Sequence, residues 1–349
     1  GIKMDETTRR QKLTIPEGRL RIVIDSDAKN EVDDQFAIAW ALRSPERFQI
    51  EAVYAAPFSH TVFRHNIGDY DFLVQEDPKE GMEQSYEEIR KIYQLLGENP
   101  DGKVFRGATG YIDEDRNPVQ SDAVHDLIER GMNSEETLYV VSIGACTNVA
   151  SALIQEPKLA EHIVVVWLGG QPLYFDHGYE FNMGQDIRGA QHLFNCGVPL
   201  VWIPCMNVAS LLSFSDDEAK SKLNGKSRIG TYLTDIVLDQ FSNLDKALSR
   251  GKMHRTLQLR GREDQSEEYF ARFESKYVAW SRTIWDISTI AFLKNPGWVQ
   301  STRVPSPILG DDCRWVKDRE MTSRHEIRVA NYCQRDLIFG DLVACLNHD

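Results

Sequence analysis

The chain has 349 residues, 42% of them hydrophobic and 27% charged, which are the proportions of a globular protein with a sizeable core. Its formal net charge of −13 argues against nucleic acid or an anionic membrane as partner, because both demand basic surface. Length alone is compatible with one large α/β domain or two smaller ones.

Taken in chain order, GIKMDETTRRQKL at the start lacks the apolar core of a secretion signal. A cytoplasmic location is expected, with export of a chain already stripped of its signal left open. Residues 20–24 read as a strand and 34–43 as its helix. Strand 48–56 and a Glu- and Lys-rich helix over 82–97 follow, then a short strand at Val104-Phe105 and a helix over 121–131. Strand 137–143, helix 148–155, strand 163–168, helix 186–196 and strand 199–204 continue the alternation. β-branched strands separated by helices predict a mostly parallel sheet with right-handed crossovers. Residues 207–293 read as mainly helical around a charged loop at 260–269, and strand-like segments return before a last helix, DLVACL. One α/β domain over 1–349, with about 207–295 as a helical elaboration, is the expected organisation.

The longest apolar run, IVVVWL (163–168), suits a buried strand and is too short for a membrane span. Cys146, Cys196, Cys205, Cys313, Cys333 and Cys345 fall at irregular spacings without a C-x-x-C pair, so free thiols are expected and a zinc–thiolate site is not.

Parallel sheets bind ligands beyond the carboxyl ends of their strands, and three predicted strands end in residues able to carry chemistry. The first ends in Asp25, Asp27, Asp33 and Asp34, four carboxylates within ten residues. Asp25 and Asp27 share a face if extended, while Asp33 and Asp34 sit where a helix begins and carboxylates are favoured. One of them could serve as an ordinary cap, but four together repel unless a cation lies among them. A hard divalent ion with oxygen ligands answers that repulsion. Thr147-Asn148 opens the next such helix, where either residue suits a cap. Glu180 and Asn182, flanking Phe181, share a face if locally extended, and Gly169-Gly170 by itself says little. Asp286, beside Trp285, is either a helix cap or a buried ligand.

In this order and spacing, the Asp cluster, IGACTNVASAL (143–153), VVVWLGG before YEFNMGQDIRGAQHLF (179–194), and WDISTIAFL resemble the inosine–uridine-preferring nucleoside hydrolases. The resemblance runs from about residue 20 to 345. It implies a single α/β domain with a Ca²⁺ ion at the pocket floor, homodimers or homotetramers, a role in purine or pyrimidine salvage, and cleavage of nucleosides to free base and ribose. By motif, Asp27 resembles the metal-bound carboxylate that also deprotonates the attacking water. Asp34 and Asp286 resemble carboxylate ligands, and Thr147 a ligand through its carbonyl. Asp33, Glu180 and Asn182 correspond to ribose contacts; Asp25, left without such a counterpart, is expected to support the ligands from behind. The donor set suits Ca²⁺, since no His or Cys cluster competes for a softer metal.

Four positions depart from the family pattern. Five residues, Ala28 to Val32, separate Asp27 from Asp33 where the family has three, Pro-Gly-x. AAPFSH (55–60) replaces a strand-end Gly-Asn, leaving His60 as a substitute sugar contact. Tyr174 stands near an expected Asn. Trp285 replaces a His associated with protonating the leaving base, so Trp285 could stack on a purine while His177 or His60 supplies the proton. Two other readings compete. One is a homologue that binds calcium and a ribosyl ligand without turnover. The other is a metal-dependent phosphohydrolase, although Lys29 stands where such enzymes carry Thr or Val.

Overall fold

The computed structural model describes residues 3–61, 75–242, 261–265, 268, 281–317 and 322–349. An eight-stranded sheet runs in the order β3-β2-β1-β4-β5-β6-β12-β9. Its strands are β1 (Leu20–Ser26), β2 (Phe48–Ala55), β3 (Val104–Arg106), β4 (Leu138–Ser142), β5 (Ile163–Leu168), β6 (Leu200–Ile203), β9 (Val299–Pro305) and β12 (Glu326–Cys333). All neighbours pair in parallel except β12 with the edge strand β9. Two further pairs, β7 (Ser213–Ser215) with β8 (Ser281–Thr283) and β10 (Ile308–Leu309) with β11 (Trp315–Val316), lie outside the main sheet.

The alternation within each strand splits the core into two layers. Ile22 and Ile24 pack on one face of the sheet, and Val23 packs on the other; Val164, Val165 and Val166 divide in the same way. Helix α1 (Glu6–Lys12), capped by Asp5, precedes the sheet and is not evident from apolar periodicity. Helix α2 (Asp33–Leu42) is buried from Asp33 to Ala41 with almost no amphipathic bias, as a helix covered on all sides must be. It packs against α3 (Pro78–Leu95), α9 (Ile287–Lys294) and α10 (Arg335–Leu346).

Helix α3 begins four residues earlier than expected, with Pro78 at its first position and Asp77 accepting from the amide of Lys79. Helices α4 (Asp122–Met132) and α5 (Thr147–Gln155) fall where the periodicity places them. Helix α7 (Ile187–Asn195), capped by Asp186, fills the helix expected over 186–196, and a further short helix, α6 (Phe181–Gln185), precedes it, the two separated at Asp186, whose φ of −139° and ψ of 78° are not helical. In the region expected to be mainly helical, α8 (Arg228–Ser242) and α9 are present, but so are β7 and β8; most of 243–280 lies outside the described residues. The six cysteines are unpaired, and among the described residues no helix is long and apolar enough to cross a membrane.

Strand order reverses direction at β1, with β2 and β3 to one side and β4 onward to the other. The carboxyl ends of β1 and β4 therefore flank a crevice, and Asp25 to Asp34 follow the first while Thr147 follows the second.

Candidate functional site

Ligand oxygens of Asp33, Asp34 and Asp286 all lie within 4.8 Å of one another, and all three residues are buried. That spread fits one ion whose oxygen ligands sit at about 2.3–2.6 Å. Asp34 also accepts from Ser26 Oγ at 2.7 Å and touches Asp27, which is 2% exposed. Asp33 Oδ2 accepts from the backbone amide of Asp286 at 3.2 Å, joining segments that are 253 residues apart. Asp286 occupies the N-cap position of α9 but makes no side-chain capping bond, so its carboxylate serves the cluster and not the helix end.

Burial pushes Asp27, Asp33 and Asp286 well above the usual carboxylate range, and repulsion from neighbouring aspartates pushes the same way. Asp34 is raised by burial too, although its hydrogen bonds pull it back. Arg282 lowers Asp33 somewhat but is itself bound to Glu31 at 2.8 Å. Asp25 Oδ2 and Asp27 Oδ2 are buried without a hydrogen-bond partner among the described residues. Orphaned carboxylate oxygens beside three convergent carboxylates fit a hard cation, and among the described residues no His or Cys joins the cluster.

The sugar and leaving-group candidates are arranged less simply. Glu180 is the N-cap of α6 and accepts from Gly170 N at 2.7 Å, Asn182 N at 3.0 Å, and Met183 N. Gly170 has φ +71°, a left-handed backbone that favours glycine, and a Cβ there would press on the Met183 side chain. Asn182 Nδ2 donates to Leu168 O at 2.9 Å. Because Asn182 is in a helical turn, the pair does not alternate as an extended segment would.

His60 Nδ1 accepts from Gln75 N at 3.2 Å, which leaves Nε2 to donate to Asn30 Oδ1 at 3.1 Å; this tautomer is assigned from the partners. His177 Nδ1 accepts from Tyr179 N at 3.0 Å, and its backbone bridges to Arg314. Trp285 is half-buried against the core, next to Asp286. Tyr174 is 71% exposed and its hydroxyl accepts from Asn207 Nδ2 at 3.0 Å.

The family model described as inosine-uridine preferring nucleoside hydrolase matches residues 22–330. The chain belongs to this family. As a member it is a glycosyl hydrolase, and family membership favours glycosidic over phosphoryl chemistry. Among similar sequences, a non-specific ribonucleoside hydrolase RihC of Salmonella agona is 28% identical over 222 residues, covering 61% of this chain and 69% of that protein. A probable uridine nucleosidase 2 of Arabidopsis thaliana is 22% identical, covering 63% and 69%. The plant nucleoside hydrolase PpNRh1 superposes with a TM-score of 0.66 at 16% identity, covering 95% of this chain and 99% of that one. The type III effector XopQ, solved with adenosine diphosphate ribose, gives 0.62 at 16%, covering 99% of each.

Two residues of this nucleoside hydrolase play parts that sequence reasoning did not assign. Asp186, 2% exposed, accepts from Thr147 Oγ1 at 2.5 Å, Gly189 N at 2.8 Å and Ile112 N at 3.3 Å. It thereby fixes the turn that carries Thr147. An Asp opening a helix was the available signal, and it reads equally as a cap. Asn148 is not a cap, since Cys146 holds that position. Its Nδ2 donates to Asp25 Oδ1 at 2.8 Å and Ala55 O at 3.1 Å, and its Oδ1 accepts from Ala108 N at 2.8 Å. Asn148 thus holds Asp25, whose carboxyl is lifted to about 7 by burial. Asn148→Ala leaves three buried groups unpaired and is expected to cost about 3 kcal/mol of stability, read from urea unfolding.

Proposed function

We propose that the protein hydrolyses the N-glycosidic bond of ribonucleosides, or of a related N-ribosyl compound, in a Ca²⁺-dependent reaction with Asp27 as base. The observation that supports this reading most is the convergence of buried Asp27, Asp33, Asp34 and Asp286 at the carboxyl end of β1. Asp27, Asp34, Asp286 and the Thr147 carbonyl would hold the ion. When bound, Ca²⁺ supplies positive charge that offsets carboxylate repulsion and lowers the pKa of a nearby water.

The protein's own groups do the rest. Asp27, which keeps one carboxylate oxygen free of hydrogen bonds among the described residues, accepts a proton from the attacking water. Asp33, Glu180 and Asn182 orient the ribose hydroxyls, and the carboxylates stabilise the oxocarbenium-like sugar as the base departs. Trp285 offers a face for a purine. In the tautomers their partners assign, His60 and His177 each use Nδ1 as an acceptor, so a proton for the leaving base would come from Nε2, which in His60 must first leave Asn30 Oδ1.

A nucleoside panel assayed for reducing-sugar release, with ligand-induced thermal shift alongside, tests the reading. Release of ribose from at least one purine or pyrimidine nucleoside is expected. Stabilisation by nucleosides without any release would instead identify a binding protein that has lost turnover.

A further inference from the structure

The loop Ala28–Val32 is longer than its family counterpart and lacks the Pro-Gly that stiffens it, yet it must hold Asp27 and Asp33 around one centre. Side chains from distant segments take over that task. Gln35 Nε2 donates to Ala28 O at 2.6 Å, Glu31 O at 3.1 Å and Glu88 Oε2 at 3.0 Å. Glu88, 5% exposed, is in turn fixed by the Tyr232 hydroxyl at 2.7 Å, and Lys29 N donates to Ser85 Oγ at 3.2 Å. At the far end of the loop, Glu31 Oε2 receives Arg282 NH2 at 2.8 Å, with side chains only 14% and 7% exposed. Arg282 lies on β8, four residues before Asp286.

We infer that Glu31 and Arg282 are positioning residues that hold the start of α2, with its ligand Asp34, at a set distance from Asp286 and so preorganise the cation site. The pair bridges the same two segments that the Asp286 N to Asp33 bond joins, 251 residues apart in one case and 253 in the other. Without it, mutual repulsion among the carboxylates acts on a five-residue loop and a short strand with one fewer tie between them. The gain is the usual one from outer partners that orient metal ligands. This inference rests on reading the acidic cluster as a Ca²⁺ site.

Electrostatics alone and positioning give opposite signs for one variant. Arg282→Gln removes a positive charge near the carboxylates, so charge alone would tighten Ca²⁺ binding. Positioning requires weaker binding, by about tenfold or more. Calorimetric titration of Ca²⁺ into chelator-stripped protein, with circular dichroism to confirm the fold, reads the difference. Nucleoside kcat at saturating Ca²⁺ should return close to the parent value, because the reacting groups are intact. The exchange Glu31→Arg with Arg282→Glu should recover most of the lost affinity. If Arg282→Gln fails to fold, Arg282→Lys keeps the charge but loses the planar guanidinium contact, and it should still weaken binding. Unchanged or tighter binding in these variants overturns the inference while leaving the Ca²⁺ reading intact. A parent protein that binds no Ca²⁺ overturns both.

Discussion

Asp27→Ala is expected to lower kcat/KM on the best nucleoside by at least about a thousandfold, equivalent to about 4 kcal/mol of transition-state stabilisation. The loss has two sources. Removing the carboxylate takes away the buried proton acceptor. It also takes one oxygen donor from the cation site. Asp27→Asn separates these, since the amide keeps an oxygen at the site but cannot accept the proton; a similar loss is expected there with smaller effect on Ca²⁺ affinity. In the metal-free protein stability should not fall in either variant, because the substitution removes a carboxyl from a buried, mutually repelling cluster. Steady-state kinetics with thermal unfolding checks both halves, and an Asp27→Ala protein with parental turnover would dismiss Asp27 as the base.

Chelating Ca²⁺ is expected to abolish hydrolysis and to invert the usual pH dependence of stability. In the metal-free protein Asp25, Asp27, Asp33 and Asp286 have folded-state pKa values raised above those of the unfolded chain. The folded state therefore binds more protons, so stability is greatest in acid and falls as pH rises past the ordinary carboxylate range. For Asp25 the fall is complete near its folded value of about 7. Each such group contributes up to about 1.4 kcal/mol per pH unit within its window. Thermal midpoints of chelated protein should decline between about pH 5 and pH 7. Added Ca²⁺ should reverse the decline, by about 2.7 kcal/mol at a hundredfold excess over Kd. A midpoint flat in pH and indifferent to Ca²⁺, with no calcium by elemental analysis and activity unaffected by chelator, would remove the ion from this account.

Much of the architecture was legible because it is local. β-branched runs such as Ile22-Val23-Ile24 and Ile163 to Val166 place strands wherever the chain must be buried on both faces, and the alternation with helices dictates a parallel sheet. Helix boundaries were less legible where one residue serves two purposes. Asp186 ends α6 and caps α7 through Gly189 N while also holding Thr147; the helix expected over 186–196 is present, but the five-residue α6 before it carries too little period to stand out from a loop. The small β7–β8 pair was invisible for a different reason, since three-residue strands carry no period.

By themselves the residues determined the element order, the crowding of four aspartates beyond the first strand, and the oxygen-rich chemistry that such crowding demands. These are properties of adjacent positions, where spacing and charge act directly. Motif resemblance had already set Asp286 beside Asp34; only the tertiary structure decided that Asp33 joins them, that Asn148 carries Asp25, and that Arg282 clamps the lengthened loop through Glu31. Those pairings close chain separations of more than a hundred residues, and nothing in local spacing distinguishes the chosen partner from any other. Topology makes the choice, because the reversal of strand order at β1 opens the crevice in which these segments meet.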